Sequence, residues 1–334
     1  MMQVWQARAT QLVSGPRWPR RHHPRAATTA IVLLRIPLAV CAALVAVVSC
    51  ASAPVDRPAA TPSTTGAAGD AQRGEYLATV FACQDCHTGR GADGIHLDRS
   101  VLLAGGEPFP GPWGVARSAN VSALVPALDD LTLEKLIRGQ LAFLYPMPTE
   151  AYNTMAAQDM ADLIRYLRTV PPSNRTAPAS EMDAAFTPPP PNAPVPFPAA
   201  APSGVTAARG KYLVTQGGCA DCHTPRTAIG APDPNRSLAG GGHQFPGPNG
   251  AVFEAPNLTP DPTTGLGSWT DAQIVAALRE GRAPDGHQLH PAMPYASAYH
   301  AYTDEDATAI VRYLRELQPV SYALPANPAW APGP

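Results

Sequence analysis

Two five-residue stretches carry the chemistry of this sequence: Cys-Gln-Asp-Cys-His at Cys83–His87 and Cys-Ala-Asp-Cys-His at Cys219–His223. Of the 6 cysteines in 334 residues, only Cys41 and Cys50 lie outside them. Two thiols spaced by two residues and followed at once by histidine form the attachment signature of c-type haem. The thiols of Cys83 and Cys86, and of Cys219 and Cys222, would add across the two vinyl groups of one porphyrin edge, which sets their spacing. The adjacent His87 and His223 would then bind iron. A redox disulfide of thioredoxin type needs a βαβ setting, and half a zinc site needs a second pair beside it. Neither fits a motif that recurs inside its own complete repeat.

The repeat is long. RGEYLATVFACQDCHTG at Arg73–Gly89 matches RGKYLVTQGGCADCHTP at Arg209–Pro225. LAGG recurs at Leu103–Gly106 and Leu238–Gly241, FPGP at Phe109–Pro112 and Phe245–Pro248, and RYLR at Arg165–Arg168 and Arg312–Arg315. The second copy is the longer, with its extra residues expected in NLTPDPTTGLGS (Asn257–Ser268) and EGRAPDGHQLH (Glu280–His290). Solenoid repeats run about 20–50 residues, so this period reads as two duplicated domains, residues 71–172 and 207–320. Residues 173–206 join them and include TPPPPNAPVPFPAAAP at Thr187–Pro202, a composition that favours an extended, semi-rigid spacer. Residues 321–334 form a tail.

Each copy is expected to be all-α. A first helix carries Gly74 and Tyr76, or Gly210 and Tyr212, and runs up to the cysteine motif. A middle helix spans Leu131–Gln140 or Trp269–Gly281, the latter with Thr270 as N-cap, Gln273 three residues on, and Gly281 as terminator. A closing helix spans Ala157–Val170 or Thr303–Leu317, with Thr303 and Asp306 in capping-box spacing. Gly74 and Gly210 are expected where the first helix crosses the closing helix, near Tyr166 and Tyr313. No strand periodicity stands out.

A low-spin electron carrier needs a second axial ligand. Met147, in YPMP, and Met293, in HPAMP, stand at corresponding places before the closing helices. His/Met ligation raises a haem potential. Met155, Met160 and Met182 read as packing residues, and His290 is the rival to Met293. His96, His243, His287 and His300 read as surface residues, and Arg236 as a candidate partner for a haem propionate. An acceptor for the second ring nitrogen of each proximal histidine must exist, but the sequence does not name it.

Short helix, CxxCH, Gly/Pro loops, Met-Pro and a closing helix with Tyr-Leu resemble class I cytochrome c domains. The second copy resembles the di-haem and multi-haem cytochromes that include cytochrome subunits of bacterial membrane-bound alcohol and sugar-acid dehydrogenases. The first copy is a looser match, with ANVS at Ala119–Ser122 where the second has NLTPDP. The resemblance implies two covalently bound haem c groups. It also implies an electron-transfer protein rather than an enzyme, with a dehydrogenase as donor and an oxidase or cytochrome as acceptor. A di-haem enzyme of peroxidase or thiosulfate dehydrogenase type is the alternative. The first would need an open iron position, against two Met-Pro candidates, and the second tends to use a spare cysteine ligand. A gas sensor would need a vacant iron and an output domain.

The N-terminus reads as an address. The basic run Arg17–Arg25 precedes an uncharged stretch of 13 residues at Ile36–Val48, short for a membrane span and right for an export signal. VVSC at Val47–Cys50 resembles a lipobox, and the rival cut after Ala53 would be obstructed by Pro54. Residues 1–50 are therefore expected to be a lipoprotein signal ending at a lipidated Cys50, and residues 51–70 a disordered tether. Location on the periplasmic side of a membrane follows. With a net charge of −2 and 15% charged residues, the chain lacks a basic face for nucleic acid. Its 40 prolines, 27 glycines and 7% aromatic residues leave a thin protein-built core that a haem would complete.

Overall fold

A computed structural model of the chain describes residues 68–92, 96–142, 146–227 and 231–330. The export segment, Cys50 and most of the tether lie outside the described residues. Helix α1 (Ala71–Val80) starts at Asp70, whose carboxylate accepts the backbone N–H groups of Gln72 and Arg73. A left-handed residue, Ala82, turns the chain directly into the motif helix α2 (Cys83–His87). Helices α3 (Val121–Leu124), α4 (Asp130–Ile137), α5 (Thr149–Asn153) and α6 (Ala157–Leu167) complete the first copy. The second repeats the plan with α7 (Ala207–Gln216), α8 (Cys219–His223), α9 (Asp271–Glu280) and α10 (Asp304–Glu316).

The glycine crossings are where the sequence places them. A Cβ on Gly74 would lie 1.9 Å from the carbonyl oxygen of Asp162 and 2.7 Å from Tyr166 Cβ. On Gly210 it would meet the Ala309 carbonyl oxygen at 1.9 Å and Tyr313 Cβ at 2.7 Å. Only hydrogen in place of a side chain lets the helix pairs α1/α6 and α7/α10 close. Helix α9 has the expected capping box between Thr270 and Gln273 and ends at Gly281, φ 64°. At α10 only half the box forms. Thr303 accepts the Asp306 N–H, but the Asp306 carboxylate turns instead to Arg209 and Tyr76.

The architecture is mostly helical but not all-α. Among the described residues, β1 (Pro108–Gly111), β2 (Gly114–Arg117) and β3 (Glu181–Met182) form an antiparallel three-stranded sheet in that order. Strands β4 (Gln244–Pro246) and β5 (Val252–Glu254) form a hairpin at the equivalent place in the second copy. Strands this short show no period-two pattern, and Phe-Pro-Gly-Pro reads as a turn. Pro108 and Pro110 are tolerated because β1 is an edge strand.

The chain after each closing helix lies across its copy as a strap. Residues 173–206 supply β3, a hydrogen bond from the Asn192 N–H to Gly139 O, and the Pro198 and Ala199 carbonyls that accept the Ala157 and Gln158 N–H groups. In the second copy Asn327 bonds both backbone groups of Glu254, and the Trp330 N–H reaches Gln288 O. One continuous apolar core runs through both copies, from Leu77 and Phe81 to Tyr302 and Leu314. All described residues belong to a single compact unit.

Candidate functional site

The second motif is the more enclosed. His223 is 8% exposed. Its Nδ1–H donates to the carbonyl of Pro256 over 2.7 Å, which leaves Nε2 with its lone pair. Burial lowers the pKa of this imidazole against the opposing pull of that carbonyl, so the ring stays neutral. Burial also pushes the thiols of Cys219 and Cys222 up, to about 12 and about 11. They are protonated, unlike reactive or metal-binding thiolates. Among the described residues no cluster of three or more His, Cys, Asp or Glu could hold a metal ion.

Beside this motif lies an apolar cavity that is partly open to solvent. Cys219, Cys222, His223 and Met293 line it together with Leu278 and Ile310. Its apolar walls, paired thiols, neutral imidazole and thioether suit a covalently attached, iron-bearing macrocycle. His290 lines it too, but its Nδ1 accepts the Ala292 N–H and its Nε2 lies 3.3 Å from Pro246 O. Both its nitrogens are engaged, and its ring packs 4.4 Å from that of Trp330. Met293 lines the cavity with its thioether.

The first motif repeats the geometry in a more open setting. His87 is half-buried, and its Nδ1–H donates to Ala119 O over 2.8 Å. Its pKa is lowered by desolvation, with the carbonyl opposing. Cys83 and Cys86 are each pushed up to about 12, chiefly by burial. Met147 packs against the core, and its carbonyl accepts the Thr149 N–H at 2.8 Å, as Met293 O accepts the Tyr295 N–H at 2.7 Å. The threonine after each motif is buried, and its hydroxyl accepts a leucine N–H over 3.1 Å: Leu103 for Thr88, Leu238 for Thr224.

The two carbonyl acceptors, Ala119 and Pro256, were not legible in advance. The available signal is the asparagine that follows each one. Asn120 donates to the carbonyls of Ser173 and Arg175, and Asn257 to that of Val320, which ties each acceptor to its strap. Met155 and Met160 are fully buried, whereas Met182 is half-buried on β3. His96, His243 and His300 are exposed and His287 is half-buried against Asp285. Arg236 pairs with Asp233 at 2.7 Å and lies over the Tyr322 ring at 4.8 Å.

A CxxCH helix with a neutral, carbonyl-oriented histidine, opening on an apolar cavity that also holds a methionine, defines a c-type cytochrome. The comparisons agree. The cytochrome c family model matches residues 207–318. A protein named diheme cytochrome c-type from Cereibacter sphaeroides is 30% identical over 285 residues, 75% of this chain and 87% of that protein. The fructose dehydrogenase cytochrome subunit of Gluconobacter japonicus is 31% identical over 279 residues, 73% of this chain and 52% of that subunit. The cytochrome c subunit of a quinone alcohol dehydrogenase from Komagataeibacter europaeus is 30% identical over 278 residues, 75% of this chain and 56% of the subunit. The chain thus spans about half the length of these two dehydrogenase subunits. It belongs to the cytochrome c family, similar to diheme cytochromes and dehydrogenase cytochrome subunits: an electron-transfer protein carrying covalently bound haem c.

Proposed function

We propose that the chain carries two haem c groups in tandem domains and passes single electrons between a periplasmic or membrane-bound dehydrogenase and a respiratory acceptor. Cys83 and Cys86 would hold one haem, with His87 and Met147 supplying its iron ligands. Cys219 and Cys222 would hold the other, with His223 and Met293. The haem supplies the one-electron couple, and the polypeptide orients, insulates and sets potential. The observation that carries this reading is the repeated hydrogen bond from each proximal histidine to a backbone carbonyl, Ala119 in one copy and Pro256 in the other. It fixes the tautomer that presents Nε2 and raises its basicity toward a metal. Similarity to dehydrogenase cytochrome subunits supports the class of donor. Export with lipidation at Cys50 would hold the chain at the membrane surface beside such a donor.

The test is optical. Oxidised protein matured with its haems is expected to show the near-infrared methionine-to-iron band. Met147→Ala and Met293→Ala should each remove one part of it and lower one of two midpoint potentials. A high-spin haem in the unaltered protein, or a band indifferent to one substitution, would overturn the assignment for that copy.

A further inference from the structure

The two copies meet across a nearly symmetrical surface. Tyr76 donates to Asp306 of the second copy, and its counterpart Tyr212 donates over 2.9 Å to Asp159 of the first. Tyr152 donates to Phe81 O at 2.8 Å, and Tyr299 to Gly217 O at 2.7 Å. Each of these carbonyls stands two residues before the first cysteine of its motif. Helix α1 packs against the 3-10 turn Tyr299–Ala301, and α5 packs reciprocally against α7. The Asp85 carboxylate, inside the first motif, accepts the Ser297 hydroxyl of the second copy. Both motif helices therefore border this surface.

One position breaks the symmetry. Where the first copy has Met155 the second has Tyr302, both fully buried. The Tyr302 ring stacks on Tyr299 at 5.6 Å between centroids and 29° between planes, and its hydroxyl reaches across to Val80 O at 3.3 Å. The result is a line of covalent bonds, hydrogen bonds and one ring-to-ring contact between the motifs. It runs from Cys219 along the backbone to Gly217 O, through the hydroxyl and ring of Tyr299, across the stack to Tyr302, and by its hydroxyl to Val80 O. The backbone then leads through Phe81 to Cys83. Water is excluded from its middle, where Tyr299 is 7% exposed and Tyr302 1%.

We propose that this line is the route by which an electron passes between the two haem sites inside the chain, and that Tyr302 is the positioning residue that sets its rate. The inference rests on the reading that both motifs carry haem. With haem bound, the transfer would oxidise the ferrous iron of one site and reduce the ferric iron of the other, and Tyr299 and Tyr302 would bridge the two. No bond is made or broken and no proton moves. Burial holds the Tyr299 and Tyr302 hydroxyls far above the ordinary tyrosine pKa, so both remain neutral bridges. The ring-to-ring contact is the one non-bonded step of this line, and the Tyr302 hydroxyl stands between the two backbones: a Cβ on Gly217 would lie 2.8 Å from it, and Val80 O is 3.3 Å away.

The experiment uses the full, haem-loaded chain. Haem is first counted from the alkaline pyridine spectrum. The sample is then half-reduced, and the intersite rate is read by two-dimensional exchange NMR of the haem methyl signals at several protein concentrations. The unaltered chain should show exchange independent of concentration. Tyr302→Phe, which keeps the stack and loses the contact to Val80, should slow it several-fold. Tyr302→Met, which installs the first copy's residue, should slow it further, with both midpoint potentials unchanged. Two haems exchanging at one rate in all three proteins would overturn the route alone, as would exchange that scales with concentration. A single haem would overturn the two-haem reading and this inference with it.

Discussion

The two cysteine motifs differ little in the shell that touches them and much in what covers that shell. Both have an imidazole donating to a carbonyl, a threonine hydroxyl accepting a leucine N–H, and a left-handed residue before the first cysteine. The cover diverges. In the second copy the loop at 257–268 is knotted by Asp261, which accepts the Thr263 and Thr264 N–H groups, and His290, Phe253 and Trp330 cluster over the cavity. The first copy instead buries an ion pair, Arg138 Nε to Glu134 at 2.8 Å, with the guanidinium 3.8 Å from the ring centre of Phe197. The residue equivalent to Arg138, before the matching left-handed glycine, is the exposed Glu280. Geometry that must orient an iron ligand tolerates little change, whereas the packing around it can be built from aromatic rings or around a buried ion pair.

The helix crossings give the hardest test of that equivalence. Gly74→Ala and Gly210→Ala would each drive a Cβ into backbone, at the upper end of the overpacking range of about 1–3 kcal/mol. Chemical denaturation followed by haem absorption, including the near-infrared methionine-to-iron band, should show loss of structure in both copies from either change, because one core runs through both. Loss confined to the altered copy would make the copies independent.

A smaller effect is expected at the inter-copy tyrosines. Tyr76→Phe and Tyr212→Phe should each cost about 1–3 kcal/mol by leaving a buried acceptor short of a donor. Burial raises the Asp306 pKa, but Arg209, bidentate at 2.8 Å, and Tyr76 outweigh it and hold the carboxylate below its ordinary value. A depressed folded pKa contributes stability that is complete above the unfolded value, about 3.9, and is lost as pH falls through the folded one. Removing Tyr76 weakens that depression. Acid unfolding of Tyr76→Phe should therefore begin at higher pH than in the parent protein; coincident acid limbs would deny Asp306 this role.

The smallest effect concerns the residue before each motif. Ala82 sits at φ 61° where the second copy has Gly218 at φ 72°. Left-handed backbone costs a residue with a Cβ about 1–2 kcal/mol. Ala82→Gly should raise stability by up to about 1 kcal/mol after the entropy lost to glycine, and Gly218→Ala should lower it by a similar amount. Opposite shifts in melting temperature would confirm the match between copies, and shifts of one sign would break it.

Much of the site could be read from the chain. Cys-x-x-Cys-His is a local constraint, since porphyrin geometry dictates its spacing, and Gly74 and Gly210 declared the helix crossings because no other residue permits them. The capping box of α9 was equally plain. The short hairpins were not, because three or four residues show no period and prolines mask them. In the sequence the straps look like spacer and tail, since extended proline-rich chain carries no sign of what it lies against.

What the sequence determined by itself was therefore local: a duplicated helical plan, two haem motifs and a methionine before each closing helix. Only the tertiary structure decided which backbone carbonyls orient His87 and His223, that Tyr76 and Tyr212 reach across to the other copy, and that Tyr302 bridges Tyr299 to Val80. A carbonyl is common to every residue, and a tyrosine hydroxyl can reach any acceptor brought near it. Their partners exist only once distant segments have packed together.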